Sequence, residues 1–313
     1  MIPVVHVAAA AIYGPDGRLL ISRRPEHLHQ GGLLEFPGGK VDSGESVVQA
    51  LVRELQEELG ITPTAFEPLI QIPHDYTDKR VLLDVWRVTR YQGKPQGLEG
   101  QSLYWMAESE LCPDQFPDAN RAIITALTLP QRYLITGDAT DREQWLTKLE
   151  HALDKGARLV QLRAHSLEVN AYQSLASEAL QRCHSFAAKL IVNRDPANVV
   201  AVKADGLHLN RYALMQLTKE QLAPWRQGLL GVSCHNVAEL QRAKLLGVDY
   251  VLLSPVLPTA SHPDADTLGW QEFASLTKQA TMPVYALGGM EQGMEKTAIE
   301  HGAQGIAAIR AFW

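Results

Sequence analysis

The chain has 313 residues, of which 46% are hydrophobic and 20% charged, and its formal net charge is −6. This composition excludes a disordered chain, and the length favours two domains of roughly 150 residues each. The negative charge supplies no electrostatic basis for binding a nucleic acid polymer. Cys112, Cys183 and Cys234 lie far apart without the spacing of a zinc site, which favours a reducing, cytoplasmic setting. No apolar run approaches the ~20 residues that cross a bilayer, so no membrane partner is expected.

The first part of the chain, up to about residue 127, is predicted to contain mixed strands around one long helix. Two apolar segments, residues 4–13 and 18–24, flank the turn GPDG and predict a hairpin. The alternating residues 80–91 predict a further strand. Residues 102–111 predict a strand that continues into a short helix, and residues 120–129 predict a closing helix.

From about residue 131 short apolar strands alternate with segments of helical spacing. Eight strands are predicted in the segments RYLITGD, ARLVQLRA, KLIVNRD, DGLHLN, LLGVSCHN, DYVLLSPV, MPVYALGG and QGIAAIRAF. Eight such alternations are typical of a parallel (β/α)8 barrel of the TIM type. Pro130 stops a helix before the first of these strands. The chain is therefore predicted to be α/β, with one domain over 1–128 and a barrel over 131–313.

The long helix is predicted over residues 46–59 from an apolar stripe that faces the core. The stripe consists of Val48, Leu51, Val52, Leu55 and Leu59. Asp42 or Ser43 is expected to cap the start of this helix, and Gly60 is expected to end it.

The same helix carries Glu54, Glu57 and Glu58 on a different face. Like charges at these spacings repel one another, and no Lys or Arg follows four residues later to relieve them. The preceding segment EFPGGK brings backbone close to the helix. Three carboxylates beside a carbonyl suit a hard divalent cation such as Mg²⁺, with Mn²⁺ as the alternative ion. The competing interpretation is a solvated acidic face.

The full spacing, from Gly39 through Glu45 to residues 53–61, resembles the Nudix box in every fixed position. Nudix proteins hydrolyse nucleoside diphosphates linked to another group. The resemblance implies an N-terminal Nudix α/β/α sandwich and a metal-dependent pyrophosphohydrolase. The residues that it implies are the metal ligands Gly38, Glu54, Glu57, Glu58 and Glu99 and the catalytic residues Glu54, Glu99 and Arg53. Glu99 is the candidate general base, against the alternative of an ordinary loop carboxylate, and Glu45 and Arg53 are also expected to organise the loop and helix.

Longer segments, including RRPEHLHQGGLLEFPGGKVDSGE, RELQEELGITP and FPDANRAI, are similar to the MutT branch of that family, the 8-oxo-dGTP diphosphatases. This resemblance implies hydrolysis of 8-oxo-dGTP to 8-oxo-dGMP and pyrophosphate, which sanitises the nucleotide pool and serves DNA repair and replication fidelity. The implied substrate contacts are Arg24, His29, Glu35, Phe36, Pro37, Gly38 and Asn120. A Nudix reaction on another nucleotide, or on a thiamine-pathway diphosphate, stays open as the alternative.

Asn120 has a physical argument of its own. An 8-oxoguanine ring carries a proton on N7, where guanine has an acceptor, so an amide can accept from N7–H and donate to O6. A site built around such a bond can reject the wrong base by roughly 10⁴. The competing interpretation of Asn120 is a helix N-cap, which is a frequent role of Asn.

The second half resembles thiamine-phosphate synthase and its relative, the thiazole tautomerase TenI, through segments such as ADGLHLN, GVSCHNVAEL, GVDYVLLSPVLPTASH and PVYALGG. A phosphate cradle at the carboxyl ends of the strands is implied. The implied ligand pocket comprises Gln161, Arg163, Asn193, Ser233, Thr259, Gly288, Gly289, Ala308 and Ile309. A phosphorylated thiamine-pathway compound is the expected ligand.

Several positions depart from those two relatives. His165 and His262 stand where the synthase has lysines, and Asp195 follows rather than precedes an arginine in NRD. The loop NRYALM lacks the acid that serves the synthase as a metal ligand, and Pro255 replaces the catalytic histidine of the tautomerase. An active synthase, a tautomerase and a binding or regulatory barrel therefore all stay open.

Overall fold

The computed structural model describes residues 4–26, 30–75, 80–259 and 266–313. It divides the chain into two compact units, Met1–Thr128 and Leu129–Trp313. Across the described residues, no helix combines the length and the apolar character needed to cross a membrane.

A seven-stranded mixed sheet forms the centre of the first unit in its described part. Its strands are β1 (Val4–Tyr13), β2 (Leu19–Arg23), β3 (Leu34–Glu35), β4 (Gly38–Lys40), β5 (Thr62–Asp75), β6 (Arg80–Gln92) and β7 (Ser102–Met106). The predicted hairpin is present, because β1 and β2 pair antiparallel with Tyr13 opposite Leu19. Strand β1 also pairs parallel to β6 and antiparallel to β4. The sequence did not indicate β3, β4 or β5, since short or Gly- and Pro-containing strands have weak alternation.

Helix α1 (Val47–Leu59) covers one face of this sheet. Its N-cap is Ser46, which forms a capping box with Gln49, so the expected cap at Asp42 or Ser43 is wrong. Gly60 ends the helix in the left-handed conformation, as predicted. The buried face of α1 is apolar, with Leu51, Leu55 and Leu59 fully buried against the sheet.

Helix α2 (Arg121–Thr128) covers the opposite face, where Ile123 and Leu127 pack beside Phe36 and Phe116. Each face of the sheet thus has its own apolar layer, which gives the predicted α/β/α sandwich. The segment before α2 is a series of short 3₁₀ turns rather than one helix, and its prolines, Pro113 and Pro117, explain why.

The second unit is a closed barrel of eight parallel strands, as predicted. The strands are β8 (Arg132–Ile135), β9 (Leu159–Leu162), β10 (Lys189–Val192), β11 (Gly206–Leu209), β12 (Leu229–Cys234), β13 (Tyr250–Leu253), β14 (Val284–Leu287) and β15 (Gly305–Ala308). Strand β15 pairs with β8 and closes the ring.

Helices surround the barrel, and their apolar sides form its outer core. They are α3 (Arg142–Asp154), α4 (Val169–Ser185), α5 (Pro196–Val199), α6 (Arg211–Gln216), α7 (Val237–Leu246), α8 (Gly269–Thr277) and α9 (Glu295–Glu300). Because all eight strands are parallel, the residues that follow them meet at one end of the barrel, here called the mouth.

Candidate active sites

Strand β4 brings two glycines directly against helix α1. Gly38 has φ +144°, and a Cβ there would lie 2.1 Å from the carbonyl oxygen of Ala8. A Cβ on Gly39 would lie 2.2 Å from the carboxyl carbon of Glu54. The absence of side chains at both positions therefore allows a carboxylate to rest on bare backbone.

Glu58 lies beside the same strand, one helical turn after Glu54. The backbone N–H of Gly38 donates to Glu58 Oε2 at 3.1 Å. Burial raises the pKa of Glu58 to about 8, the hydrogen bond from Gly38 opposes this shift, and the charges of Glu35, Glu99 and Glu54 add to it. The repulsion predicted from the sequence is therefore present between Glu54 and Glu58, and Glu35 and Glu99 add to it.

Glu35 joins this group from β3. Its carboxylate forms a short ion pair with Arg24. Burial raises the pKa of Glu35, Arg24 opposes the shift, and Glu99 raises the pKa further. Glu99 therefore lies within electrostatic range of both Glu35 and Glu58, although it comes from a distant loop.

Arg53 lies at the centre of the exposed side of α1. Its guanidinium donates to Glu45 at 3.0 Å, to Glu54 at 2.8 Å and to Glu57 at 3.0 Å. The expectation that no cation relieves the acids is wrong, since the relieving arginine precedes Glu57 by four residues instead of following it. Arg53 also donates to the Lys40 carbonyl, so it ties β4 to the helix.

Through these contacts Arg53 links the loop to the helix. Its role as a catalytic residue stays a prediction, as do the roles of Glu54 and Glu99. The side chain of Glu57 is 58% exposed. In the described part of the chain it forms an ion pair with Arg53 alone.

The donor set of this cluster fits a hard divalent cation. Carboxylates of Glu54, Glu58 and Glu99 and the backbone of Gly38 supply oxygen ligands, and the raised pKa of Glu58 marks negative charge that a cation would stabilise. Within the described ranges no three acidic, His or Cys side chains already converge at metal-binding distances. Bound Mg²⁺ would neutralise phosphate charge and lower the pKa of a coordinated water.

Some of the residues predicted to contact the nucleobase lie in the described part of the chain. Phe36 stacks on Phe116 with ring centroids 5.6 Å apart, which places Phe36 in the apolar layer of the sheet. Asn120 is 8% exposed and lies in the 3₁₀ turn Asp118–Asn120 that runs straight into α2. Its side chain caps nothing in the described part of the chain, so the amide is available to a ligand. His29 lies outside the described residues.

At the barrel mouth the predicted phosphate cradle follows β14 and β15. Gly288 and Gly289 have φ +95° and +69°, values that favour glycine. A Cβ on Gly289 would lie 2.6 Å from Leu257 Cβ, and one on Gly288 would lie 2.8 Å from Pro255. Ala308 ends β15 and Ile309 follows it, so the four predicted residues occupy the ends of two neighbouring strands.

A polar chain runs through the barrel interior, and two predicted ligand residues belong to it. Ser233 Oγ is 2.9 Å from His208 Nε2, and His208 Nδ1 is 3.4 Å from the Tyr250 hydroxyl. Tyr250 and Tyr133 share a hydrogen bond of 2.8 Å, and Gln161 donates to Tyr133 at 3.1 Å. His208 was not predicted as a pocket residue, although the strand alternation of DGLHLN places it inside the barrel.

The remaining predicted pocket residues also lie at the mouth. Arg163 follows β9, and its backbone N–H donates to Thr136 Oγ1 at 2.9 Å. Asn193 follows β10 and donates to the His208 carbonyl at 2.8 Å. Thr259 is the last residue before the undescribed segment 260–265, which contains His262.

Comparison with known proteins agrees with this division of the chain. The family model described as thiamine monophosphate synthase matches residues 132–312, and the model described as NUDIX domain matches residues 8–126. The chain is 32% identical over 199 residues to a thiamine-phosphate synthase of Geobacillus thermodenitrificans, which covers 61% of this chain and 89% of that protein.

The first unit is 41% identical over 123 residues to an 8-oxo-dGTP diphosphatase of Escherichia coli, which covers 39% of this chain and 95% of that protein. Among solved structures, a thiamine phosphate pyrophosphorylase from Pyrococcus furiosus matches with a TM-score of 0.50 at 22% identity. That match covers 62% of this chain and 88% of the other, and it supports the barrel fold alone. The chain therefore belongs to the thiamine monophosphate synthase family through its barrel and to the Nudix family, on its MutT branch, through its first unit.

Proposed function

We propose that the first unit hydrolyses 8-oxo-dGTP to 8-oxo-dGMP and pyrophosphate with Mg²⁺. One observation carries this proposal: the carboxylates of Glu54 and Glu58 lie against the bare backbone of Gly38 and Gly39, within electrostatic range of Glu99. An oxygen-rich surface of this kind suits a cation that binds phosphates. The MutT-type relatives supply the substrate class.

The residues of the chain have separable roles in this proposal. Glu54, Glu58 and the Gly38 carbonyl would hold the cation, with Glu57 and Glu99 available as further ligands. Arg53 orients Glu54 and Glu57 through direct ion pairs. Water cleaves the bond between the α- and β-phosphates, and a carboxylate near the site accepts its proton. Glu99 is our candidate for that base.

Selectivity for the oxidised base is assigned to Asn120. Its buried amide lies at the start of α2, and it makes no capping bond in the described part of the chain. It can therefore accept from N7–H of 8-oxoguanine and donate to O6. Guanine would place its N7 acceptor against the same amide oxygen, and the buried group would lose a hydrogen bond.

The test is a comparison of kcat/KM for 8-oxo-dGTP, dGTP and a pyrimidine diphosphate, read as pyrophosphate or phosphate release and as nucleotide product. We expect a strong preference for 8-oxo-dGTP and loss of turnover in EDTA. Equal rates on 8-oxo-dGTP and dGTP would reject the substrate assignment. Preferred turnover of the pyrimidine diphosphate would favour the thiamine-pathway alternative.

For the barrel we infer a phosphorylated small-molecule ligand bound at the mouth. The observation that supports this is the pair Gly288–Gly289 at the end of β14, whose positive φ values and close contacts with Pro255 and Leu257 leave no room for a side chain. Such turns bind anions through backbone N–H groups. Whether that ligand is transformed or only bound is decided by product analysis.

A further inference from the structure

The mouth of the barrel carries a cluster of cationic side chains beside β9 and β10. Arg163 and His165 follow β9, and Arg194 follows β10. Burial lowers the pKa of His165, and the charges of Arg163 and Arg194 lower it further, while Asp138 opposes them. Two guanidinium groups therefore lie within electrostatic range of one imidazole.

Arg194 is a fixed charge rather than a mobile one. Its Nη2 donates to the carbonyl oxygens of Ala164 and His165 at 2.8 and 3.2 Å and also bonds to that of Leu167. The guanidinium lies 4.9 Å from the ring centroid of Tyr172. Its Nε is buried and has no hydrogen-bond partner in the described part of the chain. The loop after β9 is thus wrapped around a positive charge.

The carboxylates nearby are already committed to structural bonds. Asp138 accepts from the hydroxyl and the N–H of Ser166 at 2.8 and 3.4 Å. Asp195 caps α5 by accepting from Ala197 N at 3.0 Å. Each of these aspartates therefore already serves a structural bond within its own loop or helix start.

The neighbouring strand ends add no free acid. Asn210, the first residue after β11, caps α6 through a bond of 2.9 Å to Ala213 N. Glu239 reaches the end of β12 but bonds to His235 at 2.8 Å and to Arg211 at 3.1 Å. In the described part of this mouth, the residues at the ends of β8 and β10–β12 therefore do not fit a divalent cation of the kind that the synthase resemblance implies.

Mg²⁺ is bound in proteins by one or two carboxylates together with substrate phosphates. Here a cation approaching the phosphate of a ligand would meet Arg163 and Arg194 instead of free carboxylates, and the like charges would repel it. A guanidinium can itself supply the missing positive charge, because its N–H groups match two phosphate oxygens at once. Arg163 has no side-chain hydrogen bond or ion pair among the described residues, so its donors are available.

We propose that the barrel binds the phosphate or diphosphate group of its ligand without a divalent cation, through Arg163 as the direct contact and Arg194 as a fixed positive charge. This inference rests on the proposed phosphorylated ligand of the barrel. It does not depend on the reaction of the first unit.

The test uses isothermal titration calorimetry on the full chain with methylenediphosphonate, an uncleavable diphosphate, in excess EDTA and in millimolar Mg²⁺. All proteins carry Glu58→Gln, which suppresses anion binding with metal at the Nudix unit. We expect binding in EDTA with an affinity within about twofold of that in Mg²⁺. Arg163→Gln should weaken it by about tenfold or more, since a charge-assisted hydrogen bond is lost. Arg194 is not substituted, because it holds the β9 loop.

Arg158→Gln is the matched control, because Arg158 precedes the same strand at the opposite end of the barrel. Its affinity should equal that of the parent. Binding that appears only with Mg²⁺ would overturn the metal-free inference and leave the ligand class standing. Equal affinity in the parent and Arg163→Gln would overturn the role of Arg163. An absence of binding in both buffers would reject the phosphorylated ligand as well.

Discussion

The backbone N–H of Gly38 donates to the carboxylate of Glu58 at 3.1 Å, across the gap between strand β4 and helix α1. This bond joins the residue just before the Nudix box to the helix of the box, across twenty residues of sequence. It holds a partly buried carboxylate, with its pKa raised to about 8, against the strand, where a second acid, Glu54, lies against Gly39. The proposed catalysis depends on this geometry.

Glu58→Gln should lower kcat/KM for 8-oxo-dGTP by at least about 100-fold, because the amide retains the bond from Gly38 but removes a ligand charge. The melting temperature should not fall, since a buried charge is lost and no cavity forms. Pyrophosphate release and differential scanning calorimetry measure the two effects. Wild-type turnover at saturating Mg²⁺ would contradict the ligand assignment.

Glu57→Gln should also abolish turnover while the fold stays intact, because Glu57 contributes charge and not packing. Glu67→Gln is its matched control: both side chains are 58% exposed and each pairs with an arginine on its own unit. The control should keep the parent rate in the pyrophosphate assay. Turnover of Glu57→Gln at the rate of the control would contradict the assignment of Glu57 to the cation site.

Gly39→Ala should reduce kcat by about 100-fold or more, since the new methyl would displace the Glu54 carboxylate and a small misplacement is costly. Gly17→Ala serves as the control, because Gly17 has φ +79° but open space around it. It should lose roughly 1 kcal/mol of stability through backbone strain and keep its turnover. Steady-state kinetics and urea unfolding separate the two outcomes, and full activity of Gly39→Ala would refute the steric argument.

Asn120→Ala should lower the preference for 8-oxo-dGTP over dGTP by at least about tenfold, with a smaller effect on kcat for dGTP. The reason is that only the oxidised base offers an N–H to the amide oxygen. The ratio of the two kcat/KM values is the measurement. Thr125→Ala, on the neighbouring helix α2 and half-buried, should leave that ratio unchanged. A preserved preference in Asn120→Ala would assign base selection to other residues.

Acid should destabilise the barrel through His208. Burial lowers the pKa of His208 to about 3, whereas the unfolded chain has the usual value near 6.5. The stability that depends on neutral His208 is fully present above the pKa that His208 has in the unfolded chain. Below that pH the unfolded chain binds a proton that His208 in the folded barrel does not bind. The free energy of unfolding should therefore fall by up to about 1.4 kcal/mol per pH unit between roughly pH 6 and pH 3.

Hydrogen exchange of peptides from β10 to β12, measured across that pH range, detects this loss in the barrel itself. His208→Gln should flatten the pH dependence, because its amide can still form a hydrogen bond with Ser233 and does not titrate. His151→Gln, at an exposed position on α3, should leave it unchanged. An unchanged slope in His208→Gln would assign the acid sensitivity to another group.

Much of the fold was predictable because strong periodicity reports local structure directly. The eight barrel strands, the hairpin of β1 and β2 and helix α1 all come from runs whose apolar pattern has one interpretation. Strands β3 and β4 were not predicted, since they are two and three residues long and exist only through pairing with β2 and β1. The sequence of so short a segment does not indicate whether it pairs with another strand.

The sequence by itself determined which acids belong to the Nudix box and that the texture of the chain changes near residue 131, whereas the need for bare backbone at Gly38, Gly39, Gly288 and Gly289 became visible only in the fold. Only the tertiary structure decided which groups these charged side chains contact. It showed that Arg53 gathers Glu45, Glu54 and Glu57, and that Arg194 is fixed within the loop after β9. Residue type and spacing fix the chemistry that a side chain can perform. Its charge environment is set by neighbours that are distant in the chain, and these meet only when the apolar layers pack.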